Sequence, residues 1–392
     1  DPHAIDAGAS VAEARRLMTR TRVGTLAVVD ESRRLQGLLT ERDVRFVPGD
    51  ARVGTRMTPR ERLVVHVGAV AQAEAERIMV EQKVKKLPLV EADGTLIGLI
   101  TAKDLIKQAR HPFATRDARG RLRVGAAVGA TGDYLERATD VLRAGADVIV
   151  IDIAHGHSLV MERALAEVRK RCGDDVDIVA GNVATGAGAR FLLERGADAI
   201  KVGIGPGGGC STRLTTNFGV PQVEALVRCR EAVGDEVPLI ADGGVKRDGA
   251  LAQALLFGGD TVMLGSAFAG TDEAPGEIVH KSVLVPESQK VVQVPFKVFR
   301  GMASIGAVRD RLDIEDSEPG EVEAIGAEGI EVSVPARGSA RLIIHDMLKH
   351  LCSAISYGGA TSLGELQRAF RADPDRYLVK LSTAGRTESF VR

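Results

Sequence analysis

The chain has 392 residues, room for a small and a large domain, and 52 basic residues balance 53 acidic ones to a formal charge of -1. That balance supplies no basic field for duplex nucleic acid or an anionic membrane, and neither is expected as a partner. Forty-four glycines, 3% aromatic residues and no tryptophan suit repeated βα units better than a β-sandwich. Cys172, Cys210, Cys229 and Cys352 form no CxxC pair, so no disulfide framework or zinc site is indicated and a cytoplasmic, reducing setting fits. No apolar run reaches the length of a membrane span, and the start at Asp1 rather than methionine points to further sequence upstream.

Residues 37–46, GLLTERDVRF, return at 98–107 as GLITAKDLIK, an offset of 61 that also carries residues 25–30 onto 86–91 and Met18 onto Met79. Each copy reads helix, strand, polar turn, strand and then Thr-x-x-Asp, with the repeats at about 1–50 and 55–110. The doubled unit resembles a pair of CBS motifs, the module that binds adenine or guanine nucleotides. That resemblance assigns ribose and phosphate contacts to Thr40 and Asp43 and to Thr101 and Asp104; read from the residues alone, Thr-x-x-Asp is equally a helix N-cap.

Residues 111–392 have a different texture. Apolar strands at 122–128, 147–152, 176–180, 199–202, 238–241 and 261–264 alternate with helical stretches such as 134–144 and 189–195, giving six βα units. This is an α/β chain of TIM-barrel type; such a barrel closes at eight units and places its chemistry at the strand C-termini. Those positions hold Asp152-Ile153-Ala154-His155-Gly156-His157, Gly181-Asn182, the loop from Gly203 through Gly205, Gly207, Gly208, Gly209 and Cys210 to Arg213, then Asp242-Gly243-Gly244 and Gly265-Ser266. A thiol is a useful nucleophile only as thiolate, and a loop of small residues exposes the backbone amides that favour one. A cysteine after three glycines and before Ser-Thr-Arg has no apolar helix face to pack into. Cys172, Cys229 and Cys352 are expected to be core or bland surface residues, and His155 and His157, with no carboxylate partner in sequence, to be ordinary loop residues.

The glycine loop ending in Cys-x-Thr-Arg, with Ala180-Gly181-Asn182-Val183, Arg300-Gly301-Met302 and Glu328-Gly329-Ile330, resembles the IMP dehydrogenase and GMP reductase family nearly end to end. The resemblance implies a (β/α)8 barrel interrupted after its second unit by two CBS motifs, so that the first two βα units are absent from this chain. It implies that Cys210 attacks C2 of a purine monophosphate. The adduct then either gives hydride to NAD and is hydrolysed, or loses ammonia and takes hydride from NADPH. On the same basis Asp242 holds the ribose, Gly243, Gly244, Gly265 and Ser266 the phosphate, and Met302, Ala303 and Glu328 the base. Asp152, Asn182 and Gly203 belong to the NAD or NADP site, and carbonyls of Gly205, Gly207 and Cys210 to a potassium ion. Glu388 and Ser389 match a pair that completes the cation site in a neighbouring subunit, which implies a homotetramer, or an octamer.

Three departures bear on the reaction. The flap, placed at about 303–335, lacks the Arg-Tyr pair of the dehydrogenases: residues 303–327 contain no tyrosine, and Arg311 precedes Leu312, leaving proton transfer to Thr212 and Glu328 beside Arg311. Gly208 and Phe299 stand where the family has a serine and a tyrosine at the phosphate, each lost charge-assisted bond being worth about 1.5–3 kcal/mol, so a weaker phosphate grip or a modified purine is open. An open six-stranded sheet would also leave unpaired edges and half a nucleotide pocket. The sequence ranks IMP dehydrogenase first, on segments 269–277, 300–302 and 382–389. GMP reductase comes next, then a CBS nucleotide sensor without catalysis.

Overall fold

The computed structural model describes residues 2–118, 120–285, 290–304, 306–307, 329–378 and 382. The chain divides into two compact units, Asp1–Leu122 and Arg123–Arg392.

In the first unit the repeat is visible down to single dihedral angles. Helix α1 (Val11–Thr21) precedes strands β2 (Thr25–Val29) and β3 (Leu35–Thr40) and the short helix α2 (Glu41–Val44); β1 (Ala4–Asp6) and β4 (Thr58–Pro59) flank the sheet in the order β1-β2-β3-β4. The second copy runs β5 (His66–Val67), α3 (Gln72–Glu81), β6 (Lys86–Val90), β7 (Leu96–Thr101) and α4 (Ala102–Arg110). Arg22 and Lys83, 61 residues apart, both leave their helices with φ 54°, and the turn residues Arg33 and Gly94 take φ 60° and 90°. Both hairpins shift register at equivalent places, between Val28 and Val29 and between Leu89 and Val90. One apolar cluster lies under α1 (Val11, Ala14, Leu26, Leu39) and another under α3 (Ala75, Met79, Leu87). A third joins the copies, with Val29, Leu35 and Leu38 against Val90 and Leu96. Two bonds reinforce it: Leu35 N donates to the Gly94 carbonyl at 3.0 Å and Leu96 N to that of Arg33 at 2.9 Å.

The second unit is built on six parallel strands that pair in strict chain order: β8 (Gly125–Val128), β9 (Val148–Asp152), β10 (Asp177–Val183), β11 (Ala199–Val202), β12 (Leu239–Asp242) and β13 (Thr261–Met263). Valine, isoleucine and alanine dominate them because a parallel strand under helices is buried on both faces; Ile149, Ile151, Ile178, Ile200, Val202 and Leu239 are all in the core. Helices α5 (Tyr134–Arg143), α6 (Leu159–Cys172), α7 (Gly186–Glu194), α9 (Gln222–Val233) and α10 (Asp248–Leu256) return the chain after successive strands, with the one-turn helix α8 (Thr212–Thr215) ahead of α9. Buried Arg230 of α9 ties two αβ turns together, donating to the carbonyls of Val237 at 2.9 Å and Gly258 at 2.8 Å and to Asp260. Among the described residues β8 and β13 are paired on one side only.

Beyond β13 the expected βα pattern gives way. Strands β14 (Val279–Val285) and β15 (Lys290–Arg300) form an antiparallel hairpin, and β16 (Glu331–Pro335) adds to β15. Residues 331–335 of the expected flap are therefore a paired strand, while 308–328 lie outside the described residues. Helices α11 (Ala340–Tyr357) and α12 (Leu363–Ala372) then pack on α10.

Candidate active site

Every strand from β9 to β12 delivers a polar group at its C-terminal end, and one lysine gathers them. Lys201 lies near the end of β11 and its side chain is only 2% exposed. Its ammonium donates to Asp152 Oδ1 at 3.0 Å, to Asp242 Oδ2 at 2.8 Å and to Asn182 Oδ1. The amide of Asn182 completes the network by donating to Asp242 Oδ2 at 2.9 Å and to the Gly203 carbonyl at 2.7 Å. Asp152, Asn182 and Asp242 were expected in two separate sites, and the structure joins them through Lys201. Lys201 was not among the expected site residues, although a lysine inside the apolar strand Ala-Ile-Lys-Val is the kind of buried charge that must find partners.

The cysteine loop starts where β11 ends. Gly203 has φ 150°, and a side chain there would overlap the Asp242 carbonyl oxygen, so only glycine lets β11 and β12 hand over to the loop this closely. The loop then touches each expected substrate segment in turn. A Cβ on Gly243 would stand 3.1 Å from Gly207 N, and one on Gly208 would stand 3.2 Å from Ser266 Oγ. A Cβ on Gly209 would meet Gly301 Cα and the Phe299 ring at 3.0 Å. Cys210 itself forms a β-bridge with Gly329, next to Glu328, and Ile330 N donates to the Gly209 carbonyl at 3.0 Å. Met302 is 81% exposed and Ala303 is also at the surface. The Cys210 thiol is half-buried and donates to the Thr212 hydroxyl at 3.2 Å; Thr212 opens α8. Arg213 folds back on the loop and donates to the Val220 carbonyl. Cys210 N donates to the Gly207 carbonyl at 3.2 Å, which leaves that oxygen a second lone pair for a cation. Gly265, just past β13, accepts from Phe268 N through its carbonyl.

Arg311, Glu328, Glu388 and Ser389 lie outside the described residues. The other cysteines behave as the sequence indicates: Cys229 is fully buried and burial pushes its thiol up to about 12, burial also raises Cys172, and Cys352 is on the surface. His157 packs against Phe191 with ring centroids 4.6 Å apart and planes tilted by 51°, and the Arg195 guanidinium lies 3.7 Å from the centre of the Phe191 ring. In the first unit each Thr-x-x-Asp pair closes on itself at a helix start. Thr40 donates from its backbone at 2.8 Å and its hydroxyl at 2.7 Å to Asp43, and Thr101 at 3.2 Å and 2.6 Å to Asp104. No group of three or more metal-ligating side chains occurs among the described residues, and no described helix is long and apolar enough to cross a membrane.

A cysteine held on a glycine loop at the C-terminal rim of six parallel strands, bordered by further glycine turns, has the layout of a barrel-type enzyme site, and the chain joins it to a duplicated first unit. The family model for the IMP dehydrogenase / GMP reductase domain matches residues 38–392, and that for the CBS domain matches residues 1–49. The inosine-5'-monophosphate dehydrogenase of Aquifex aeolicus is 39% identical over 100% of this chain and 77% of its own length. The GMP reductase of Leishmania major is 43% identical over 94% of this chain and 73% of its own. Among solved structures, a cysteine-to-alanine variant of the GMP reductase of Trypanosoma brucei, in complex with guanosine 5'-monophosphate, matches with a TM-score of 0.81 and 34% identity, over 99% of this chain and 78% of that one. The chain belongs to the IMP dehydrogenase / GMP reductase family, a TIM-barrel domain with a CBS module, and is an NAD(P)-dependent purine oxidoreductase of that type.

Proposed function

We propose that the protein reduces a guanine nucleoside monophosphate, GMP, to IMP with NADPH through a covalent bond to Cys210. The observation that carries the reading is the Cys210–Thr212 pair at 3.2 Å, set on a loop whose glycines border every expected substrate segment. The Cys210 sulfur adds to C2 of the purine, and the amino group at C2 leaves as ammonia with a proton relayed by Thr212 and Glu328. NADPH, held by Asp152, Asn182 and Gly203, would supply the hydride to C2, after which the C2–S bond breaks to return the Cys210 thiolate. Asp242 holds the substrate ribose, Gly243, Gly244, Gly265 and Ser266 its phosphate, and Met302 and Ala303 face the base. Asp152, Asn182 and Gly203 line the dinucleotide site. Carbonyls of Gly205, Gly207 and Cys210, with Glu388 and Ser389 of another subunit, suit potassium in a homotetramer or octamer, and the CBS unit takes an adenine or guanine nucleotide at Thr40, Asp43, Thr101 and Asp104. Four unpaired cysteines accord with the cytoplasm.

This reverses the ranking drawn from sequence alone, because two GMP reductases, of Leishmania major and Trypanosoma brucei, match 94% and 99% of this chain and add their weight to the missing Arg-Tyr pair. Segment 303–327 has no tyrosine and pairs no arginine with one, so it lacks the water-activating pair that hydrolysis of the dehydrogenase adduct calls on. Loss of ammonia needs only a proton donor. The second reading, IMP dehydrogenase, is supported by Glu388-Ser389 and by the Aquifex aeolicus relative. Nicotinamide absorbance separates them. Consumption of NADPH in the presence of GMP, with ammonia released, is the expected result. Production of NADH from IMP and NAD establishes the dehydrogenase instead, and no change in either mixture leaves the nucleotide-sensor reading.

A further inference from the structure

We propose that Lys201 is a positioning residue that aims the Asp152 and Asp242 carboxylates at the two ribose rings of the bound mononucleotide and dinucleotide, and thereby couples the two sites. The proposal rests on the roles given above to Asp152 and Asp242. An ammonium has three protons, and each of those on Lys201 meets an acceptor from a different strand: Asp152 of β9, Asn182 of β10 and Asp242 of β12. Being saturated and 2% exposed, Lys201 has nothing left to offer a ligand directly. The carboxylates it holds are 41% and 26% exposed. Their second oxygens, Asp152 Oδ2 and Asp242 Oδ1, have no hydrogen-bond partner among the described residues. Each carboxylate is thus pinned by one oxygen and presents the other.

The charge count points the same way. One ammonium faces two carboxylates, so a negative charge remains in a partly desolvated cluster, and neutral hydroxyl donors are the partners that relieve it without adding charge. A ribose supplies two adjacent hydroxyls. Because both acids share one cation, a change at either alters how much of the lysine's charge the other feels. Neutralising Asp152 draws the ammonium toward Asp242 and lessens the negative charge on the oxygen that Asp242 offers to a ligand. Asn182, held between Lys201, Asp242 and the Gly203 carbonyl, keeps this shift from dissipating through side-chain rotation.

The test is calorimetric binding of GMP alone and of NADP alone to the full protein, its Lys201→Met variant and its Asp152→Asn variant. Lys201→Met is expected to weaken both ligands about tenfold, the scale of one lost charge-assisted hydrogen bond each, while iodoacetamide alkylates Cys210 at the unchanged rate. Asp152→Asn, a change at an exposed side chain that carries little folding risk, is expected to weaken GMP about threefold although Asp152 touches only the dinucleotide. A folded Lys201→Met that binds either ligand normally overturns the proposal, as does an Asp152→Asn protein with unaltered GMP affinity. If wild-type protein binds neither ligand, the functional reading itself falls.

Discussion

Cys210 and Cys229 share a side chain and differ in surroundings. Cys229 sits on α9 with no exposed surface, and burial pushes its thiol up to about 12 from an ordinary 9.0. The folded form thus holds the proton that an unfolded chain would release, so this group supports the fold fully below 9.0 and loses that support as pH climbs toward about 12. Iodoacetamide at about neutral pH is expected to modify Cys210 and Cys352 and spare Cys229, as peptide mapping by mass spectrometry will show. Cys210→Ala is expected to abolish turnover, by at least about a thousandfold, with the melting temperature held. Turnover that survives this change refutes the covalent reading. The setting of Cys210 on a loop rather than in the core was legible in the sequence, because three preceding glycines leave it no apolar face. Lys201 was not, because its meaning depends on acids 41 and 49 residues away.

At the scale of elements, the Thr-x-x-Asp pairs are helix-start devices, to which the proposed function adds nucleotide contacts. Each closes a capping box in the structure, satisfying backbone groups that a helix start leaves open. Thr101→Ala is therefore expected to cost about 1 kcal/mol in the thermal unfolding of the first unit. It should also remove any upward shift in melting that ATP or GTP gives the parent protein; a shift that persists in full limits Thr101 to capping. The repeat and the six parallel strands could be read from periodicity, as residues 25–30 and 86–91 illustrate. The hairpin β14–β15 could not. Pro295 lies inside β15, and a proline argues against a strand bonded on both sides; β15 admits it because β14 pairs with residues 290–296 and β16 with 296–300, so the two ladders overlap only at Phe296.

For the whole molecule, the division after Leu122 falls in a stretch where Arg110, Arg121 and Arg123 are all exposed. Limited trypsin digestion is expected to cut first within 110–123 and leave two resistant fragments, since each unit holds its own apolar clusters. Early cuts inside β8–β13 would contradict that independence. The sequence by itself determined the duplicated first unit, the parallel βα order and the cysteine loop, because each is written in local spacing that a strand, turn or helix start requires. Only the tertiary structure decided that Asp152, Asn182 and Asp242 form one cluster and that Gly207, Gly208, Gly209 and Cys210 each face a different segment. Those are contacts between strand ends, and strand ends become neighbours only when the sheet's hydrogen bonds set their register.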